Sequence, residues 1–177
     1  MAQNPVHTDD DIAALTARVI DECGALVIMK ADPSDTDDLV RRLDRDLDAA
    51  FGDESTEVTV RMVLGSACTT AARAIEHFVA ALQLPYAATR GWTDFGEALN
   101  DRSTNAECIV ITEATQLLKH EDYDLWQELI DGLGPHDHRS GCLYRGWRTL
   151  VLIDTEFRWN EWVFNSAHHA PPTPTNP

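Results

Sequence analysis

Basic side chains are scarce in this chain. Fourteen Lys and Arg residues face thirty Asp and Glu, giving a formal net charge of -16. Such a field repels nucleic acid and anionic membranes, because both are bound through Lys and Arg meeting phosphate. It attracts basic proteins and speeds their association. Long apolar runs are missing too: no stretch approaches the ~18 residues of a membrane-spanning helix. The start, Met1-Ala2-Gln3-Asn4-Pro5, has neither a basic nor an apolar segment, so no secretory signal is expected. Cys23, Cys68, Cys108 and Cys142 form no Cys-x-x-Cys pair. Cys23 ends a helical pattern and Cys108 opens an apolar run, as small buried hydrophobes do. The expected setting is a reducing cytoplasm.

The motifs of several enzyme classes are absent as well. There is no Gly-x-Ser-x-Gly, no phosphate-cradling glycine loop and no His-Glu-x-x-His. The cluster Asp32, Asp35, Asp37, Asp38 lacks the glycine and the twelfth-position glutamate of a calcium loop. His136-Asp137-His138 with Cys142 has the residue types of a zinc site, but no second cluster lies nearby at ligand spacing. The reading is a non-enzymatic chain with no catalytic residue, no metal and no cofactor.

What is present alternates between strand and helix. Asp9-Asp10-Asp11 opens a helical stripe through Ile12, Leu15 and Val19 that Gly24 closes. Ala25 to Met29 is an apolar run of strand length. Asp32-Pro33-Ser34-Asp35 reads as a turn and cap before a helix with Leu39, Val40, Leu43 and Leu47 inward. Val58, Val60, Met62 and Leu64 alternate with Thr59 and Arg61, which predicts a strand. Thr69 or Thr70 caps a helix carrying Ala74, Ile75, Phe78 and Leu82, and Pro85 ends it. Cys108 to Ile111 and Leu150 to Ile153 are buried-type strands, separated by a helix with Leu125, Trp126, Leu129, Ile130 and Leu133 inward. His136 to Arg148 is a polar insertion, and a Pro-rich tail from Ala170 is expected to be disordered. The order predicts an α/β layer with a small, largely parallel sheet packed by helices. Three regions are expected: an N-terminal α/β extension over 1–55, a core over 56–157, and a C-terminal extension over 158–177.

One stretch, Leu84 to Asp101, carries two periodic sets. Trp92, Phe95 and Leu99 make an apolar face, and Asp94, Glu97 and Asp101 make an acidic stripe beside it. Each like-charged neighbour pair on an exposed helix costs about 0.2–0.5 kcal/mol, and no Lys or Arg lies between Trp92 and Asp101 to offset it. One reading is a solvated face; the other is a surface that meets a cationic partner. In a third, Arg139, Arg145 or Arg148 folds over the stripe and neutralises it.

The joints of the segment 58–154 resemble those of the barstar family of ribonuclease inhibitors. The matching features are a strand ending in Gly65 and a helix ending in Leu84-Pro85. After these come a loop with Tyr86, Trp92 and Phe95, then Glu97-Ala98-Leu99, the Leu117-Leu118…Glu121-Asp122 region and the last apolar strand. The resemblance implies an intracellular, immunity-type inhibitor of a toxin–antitoxin kind. Its acidic helix would plug the active site of a basic secreted ribonuclease or other toxin, with no nucleic-acid and no membrane partner. Glu97 stands at the family's phosphate-mimicking aspartate, where a carboxylate accepts paired hydrogen bonds from arginines. Tyr86, Trp92, Asp94, Glu97, Asp101, Glu128 and Asp131 are the implied partner-binding residues. This chain departs from the family loop at Ala87, Ala88, Thr89, Gly91 and Thr93. The alternative is a non-inhibitory interaction or regulatory module on the same scaffold.

Overall fold

The structure is a computed structural model that describes residues 13–17, 19, 26–31, 35–51, 58–101, 106–134 and 148–169, with side chains of the last helix up to Trp162. Residues 13–17 form a helix, α1, that buries Leu15. Strand β1 (Leu26–Lys30) follows, and then α2 (Thr36–Phe51). Leu39, Leu43 and Leu47 recur every four residues and all three are fully buried. Each such side chain contributes about 1.5–3 kcal/mol relative to exposure. The chain continues through β2 (Val58–Leu64), α3 (Ala71–Leu82) and α4 (Trp92–Asn100) to β3 (Ala106–Thr112). It ends with α5 (Tyr123–Leu133), β4 (Arg148–Asp154) and α6 (Glu156–His169).

Among the described residues four strands form one sheet in the order β1-β4-β3-β2, and every pair is parallel. The predicted α/β class therefore holds, with a wholly parallel sheet. The connection from β1 through α2 carries the chain to the far edge, and the next two connections bring it back. With right-handed crossovers that reversal puts the helices on opposite faces. Leu39, Leu43, Leu47 and Phe51 of α2, with Leu15 and Val19, pack on Val27, Cys108, Val110, Val151 and Ile153. On the other face α3, α4, α5 and Trp159 of α6 pack on Val63, Ile109, Ile111, Leu150 and Leu152. Strand β1 lies within the expected N-terminal extension, and it pairs with β4 from Leu26↔Leu150 to Lys30↔Asp154.

Both central strands are buried along their whole length, and this extends the predicted cores of 108–111 and 150–153 outward to charged residues. Glu107 opposes Arg148 in register, at 3% and 4% exposure. Arg148 Nε lies 3.5 Å from Glu107 Oε2, and Arg61 Nε lies 3.8 Å from Oε1. Arg148 Nη1 also donates to the Gly132 carbonyl at 3.3 Å. Arg148 thus belongs to the sheet and does not neutralise the acidic stripe of α4, while Arg139 and Arg145 lie outside the described residues. So do the predicted polar insertion up to 147 and the Pro-rich tail. No helix among the described residues is long and apolar enough to cross a membrane.

Candidate functional site

All four parallel strands end on the same side of the molecule. β1 and β4 are neighbours, but the segments that follow them go to opposite faces: α2 to one, α6 to the other. In open α/β sheets such a point leaves a crevice outside the carboxyl ends of the strands. A cavity of about 360 Å³ lies there, within the usual size range of small-molecule sites. Each strand end contributes to it: Ala31 after β1, Leu64 of β2, Thr112 of β3 and Asp154 of β4. Thr36 and Asp37 enter from the first turn of α2. Met62 and Ile153 complete an apolar wall, and Glu113 a polar one. Met62 and Leu64 are 47% and 45% exposed, whereas Val58 and Val60 earlier in the same strand are half-covered by α2. The carboxyl half of β2 thus projects past the helix and into the crevice.

The polar wall is held firmly. Asp154 is buried; its Oδ2 accepts from Thr115 N at 3.0 Å and from Thr115 Oγ1 at 2.6 Å. Its Oδ1 accepts from Thr155 N at 2.7 Å. Arg158 Nη1 sits 3.2 Å from Glu113 Oε1 and 3.6 Å from Asp154 Oδ1, so it ties the ends of β3 and β4 together. Glu113 adopts φ 49° and ψ 44°, the left-handed region that few non-glycine residues occupy. Strain of that kind, of order 1–3 kcal/mol, persists where the surroundings over-determine it, often at ligand sites. Here the surroundings include Gly65, where a Cβ would come within 2.4 Å of the Glu113 carbonyl oxygen.

The electrostatics are lopsided. Asp37, Glu113 and Asp154 line the crevice, and no Lys or Arg does among the described residues. Among the described residues, Arg158 is engaged as above, and Lys30 at the end of β1 pairs with Glu156 of α6 at 2.8 Å. The hydrogen bond and charge of Lys30 hold the Glu156 carboxyl below its ordinary value. The loop from β1 to α2, Ala31-Asp32-Pro33-Ser34-Asp35, has no glycine and no lysine. The crevice offers an apolar wall, the buried Thr36 and Thr112, and the start of a long helix. Among the described residues no group of three His, Cys, Asp or Glu is placed to hold a metal ion.

The residues singled out from sequence lie elsewhere. Tyr86 is 85% exposed on the turn before α4. Trp92 is half-buried against Phe95, ring centroids 5.6 Å apart, and Phe95 is in the core. Asp94, Glu97 and Asp101 are exposed and share a shallow hollow of about 310 Å³ with Leu84, Pro85 and Ala87. Glu128 and Asp131 are exposed on α5. None of the seven lines the crevice. Sequence reasoning missed Thr36, Thr112, Glu113, Asp154 and Arg158. A signal for three of them was there: Thr112-Glu113 and Asp154 directly follow the apolar runs of parallel strands, where such folds place their ligands.

No protein-family model and no curated protein matches the chain. Solved structures do match. The Aeropyrum pernix ORC2 protein in its ADP form has a TM-score of 0.62 at 12% identity, over 96% of this chain and 46% of that one. The same protein in ADPNP–ADP complexes scores 0.60 at 11% identity, over 90% and 44%. Cdc6p from Pyrobaculum aerophilum scores 0.56 at 14% identity, over 93% and 42%. At these identities the likeness is one of fold, and this chain spans less than half the length of each.

The likeness overturns the resemblance to barstar. That resemblance rested on residues 58–154 and left out the N-terminal segment. The observed sheet includes β1 as a hydrogen-bonded edge, and the shared fold takes in 90% or more of the chain. The matching joints have a simpler cause: Trp92, Phe95 and Leu99 recur because α4 packs on the core. The immunity-type inhibitor, its plugging of a ribonuclease and its toxin partner go with the resemblance. So does the interaction module on a barstar-like scaffold.

Proposed function

We propose that this chain is a nucleotide-binding domain that takes an adenine nucleotide in the crevice at the carboxyl ends of its sheet and does not turn it over. The observation that carries this reading is a coincidence of place. The cavity built by all four strand ends lies at the reversal point of a fold shared with ORC2 in its ADP form and in ADPNP–ADP complexes. Met62, Leu64 and Ile153 would cover the base. Thr36 and Thr112 would bond the sugar or the first phosphate, near the start of α2 where backbone N–H groups favour negative charge.

The carboxylates set the terms of binding. A unit charge about 6 Å from Asp37 is repelled by roughly 0.7 kcal/mol even at the dielectric of water. Phosphates therefore enter accompanied by a divalent cation, which supplies the counter-charge that the described residues do not. Phosphoryl transfer relies on cations stabilising the developing charge. Lys30 and Arg158 are already committed to Glu156 and Glu113, which favours holding over hydrolysis. Cys68 and Cys108 are buried free thiols, in keeping with a cytoplasmic setting.

Calorimetric titration with adenosine, ADP and ATP, each with and without magnesium, tests the proposal. Adenosine and Mg–ADP are expected to bind, metal-free ATP to bind weakest, and no phosphate to be released. Absence of binding by all of them at millimolar concentration overturns the reading, and steady release of phosphate overturns its non-catalytic part.

A further inference from the structure

A second, larger cavity of about 830 Å³ lies between the segment 115–126 and α6. One wall is aromatic. Tyr123 stacks on Trp126 with ring centroids 5.7 Å apart and planes at 16°. Trp162 meets both, at 6.1 Å and 5.1 Å. The wall is braced from behind: Trp159 meets Trp162 edge-on at 5.9 Å, and its Nε1 donates to the Met29 carbonyl at 3.0 Å. Tyr123 is 45% exposed, so part of the wall faces solvent. The Trp126 Nε1 is buried and has no hydrogen-bond partner among the described residues.

The charges around this wall have one dominant sign. Asp122, Asp124 and Glu161 line the same cavity as exposed carboxylates. Of the cations in the lining, Arg158 is held by Glu113 at 3.2 Å and Lys119 Nζ donates to Gln116 Oε1 at 2.8 Å. Aromatic faces carry negative potential and attract cations within about 6 Å of the ring centre. Anions, nucleotides included, are disfavoured by both the rings and the carboxylates. Small hydrated cations gain little from leaving water for a ring. A bulky, weakly hydrated cation gains from both the rings and the acids. The rings touch one another, so they form a continuous wall, and the guest rests on its outer face.

We infer that the Tyr123–Trp126–Trp162 wall binds a quaternary ammonium group, with Asp124 and Glu161 supplying the counter-charge. The inference is independent of the nucleotide crevice. A free trimethylammonium compound and a trimethylated lysine in a peptide offer the same chemistry.

The full chain, titrated with choline and followed by tryptophan fluorescence, tests it. The control is 3,3-dimethylbutan-1-ol, which has the same shape without the charge. Choline is expected to bind at least about tenfold more tightly than the alcohol. Tyr123→Leu and Asp124→Asn are each expected to weaken choline severalfold. Both positions are exposed, and an unchanged circular dichroism spectrum checks that the variants fold. N-acetyl trimethyl-lysine amide is the second ligand: tighter binding than choline supports a peptide source, and weaker binding supports a free compound. Equal binding of choline and the alcohol, or choline binding untouched by Tyr123→Leu, overturns the inference.

Discussion

Glu107→Gln should unfold this protein at a much lower temperature, although the side chain keeps its shape. Glu107 is 3% exposed, and its carboxylate lies 3.5 Å from Arg148 Nε and 3.8 Å from Arg61 Nε. At an effective dielectric of about 20, each contact is worth roughly 4–5 kcal/mol of Coulomb attraction, most of which offsets the cost of burying the charges. Removing the negative charge leaves that cost uncompensated. Arg61, with 26% of its side chain exposed, can turn to solvent, but Arg148 at 3% cannot. Losing one partner of a buried pair costs about 3–5 kcal/mol. For a chain of this size, 1 kcal/mol moves the melting point by about 2–4 °C, so the expected fall is about 6–20 °C. Thermal melts followed by circular dichroism measure it. The double variant Glu107→Leu/Arg148→Met removes both charges and should recover most of the loss. A Glu107→Gln melt within about 1 °C of the parent refutes the reasoning, and so does a double variant that is less stable than the single one.

Gly65→Ala sets a Cβ against backbone atoms, 2.4 Å from the Glu113 carbonyl oxygen and 2.9 Å from that of Thr112. Overpacking of this kind costs about 1–3 kcal/mol, so melting should fall by several degrees and nucleotide binding should weaken with it. Asp37→Asn removes one repulsive charge from the crevice. Metal-free ADP should then bind at least about threefold more tightly, from roughly 0.7 kcal/mol for each of its charges lying ~6 Å away, while adenosine is unaffected; calorimetry separates the two. Burial pushes the Cys68 thiol up to about 11 and the Cys108 thiol up to about 12, the latter helped by the Glu107 charge. Their ordinary value is near 8.5, so above that pH the unfolded chain ionises and the folded chain does not. Stability is therefore fully present below about pH 8.5 and falls as pH rises towards 11–12. Denaturant midpoints between pH 7 and pH 10 should fall more steeply for the parent than for Cys68→Ala/Cys108→Ala.

The helices with one buried stripe are plain in the sequence, because a buried face imposes its period on the residues. Leu39, Leu43 and Leu47 in α2, and Ala74, Ile75, Phe78 and Leu82 in α3, occupy the predicted positions. The apolar runs at 108–111 and 150–153 are likewise parallel strands buried by helices, whereas the run at 25–29 supplies the edge strand β1, in which Val27 is buried but Leu26 and Ile28 are exposed. Their ends are less plain. Glu107 and Arg148 look like polar boundaries until the register places one opposite the other. The helix α6 was missed because Trp159 and Trp162 stand among polar residues just before a Pro-rich tail. The crevice was missed for a topological reason. Its walls come from the ends of four strands that are distant in sequence and meet only once the order β1-β4-β3-β2 is known. The acidic stripe of α4 drew notice because its members are sequence neighbours, and that same closeness makes such a stripe common on solvated helices.

Titration of isotope-labelled protein with Mg–ADP, followed residue by residue by backbone amide NMR, tests the crevice most directly. The expected result is saturable shifts at Ala31, Thr36, Leu64, Thr112, Glu113 and Thr155, the positions that ring the strand ends. Shifts confined to Asp94 and Glu97 on α4 and Asp101 just after it, or no shifts at millimolar nucleotide, contradict the account.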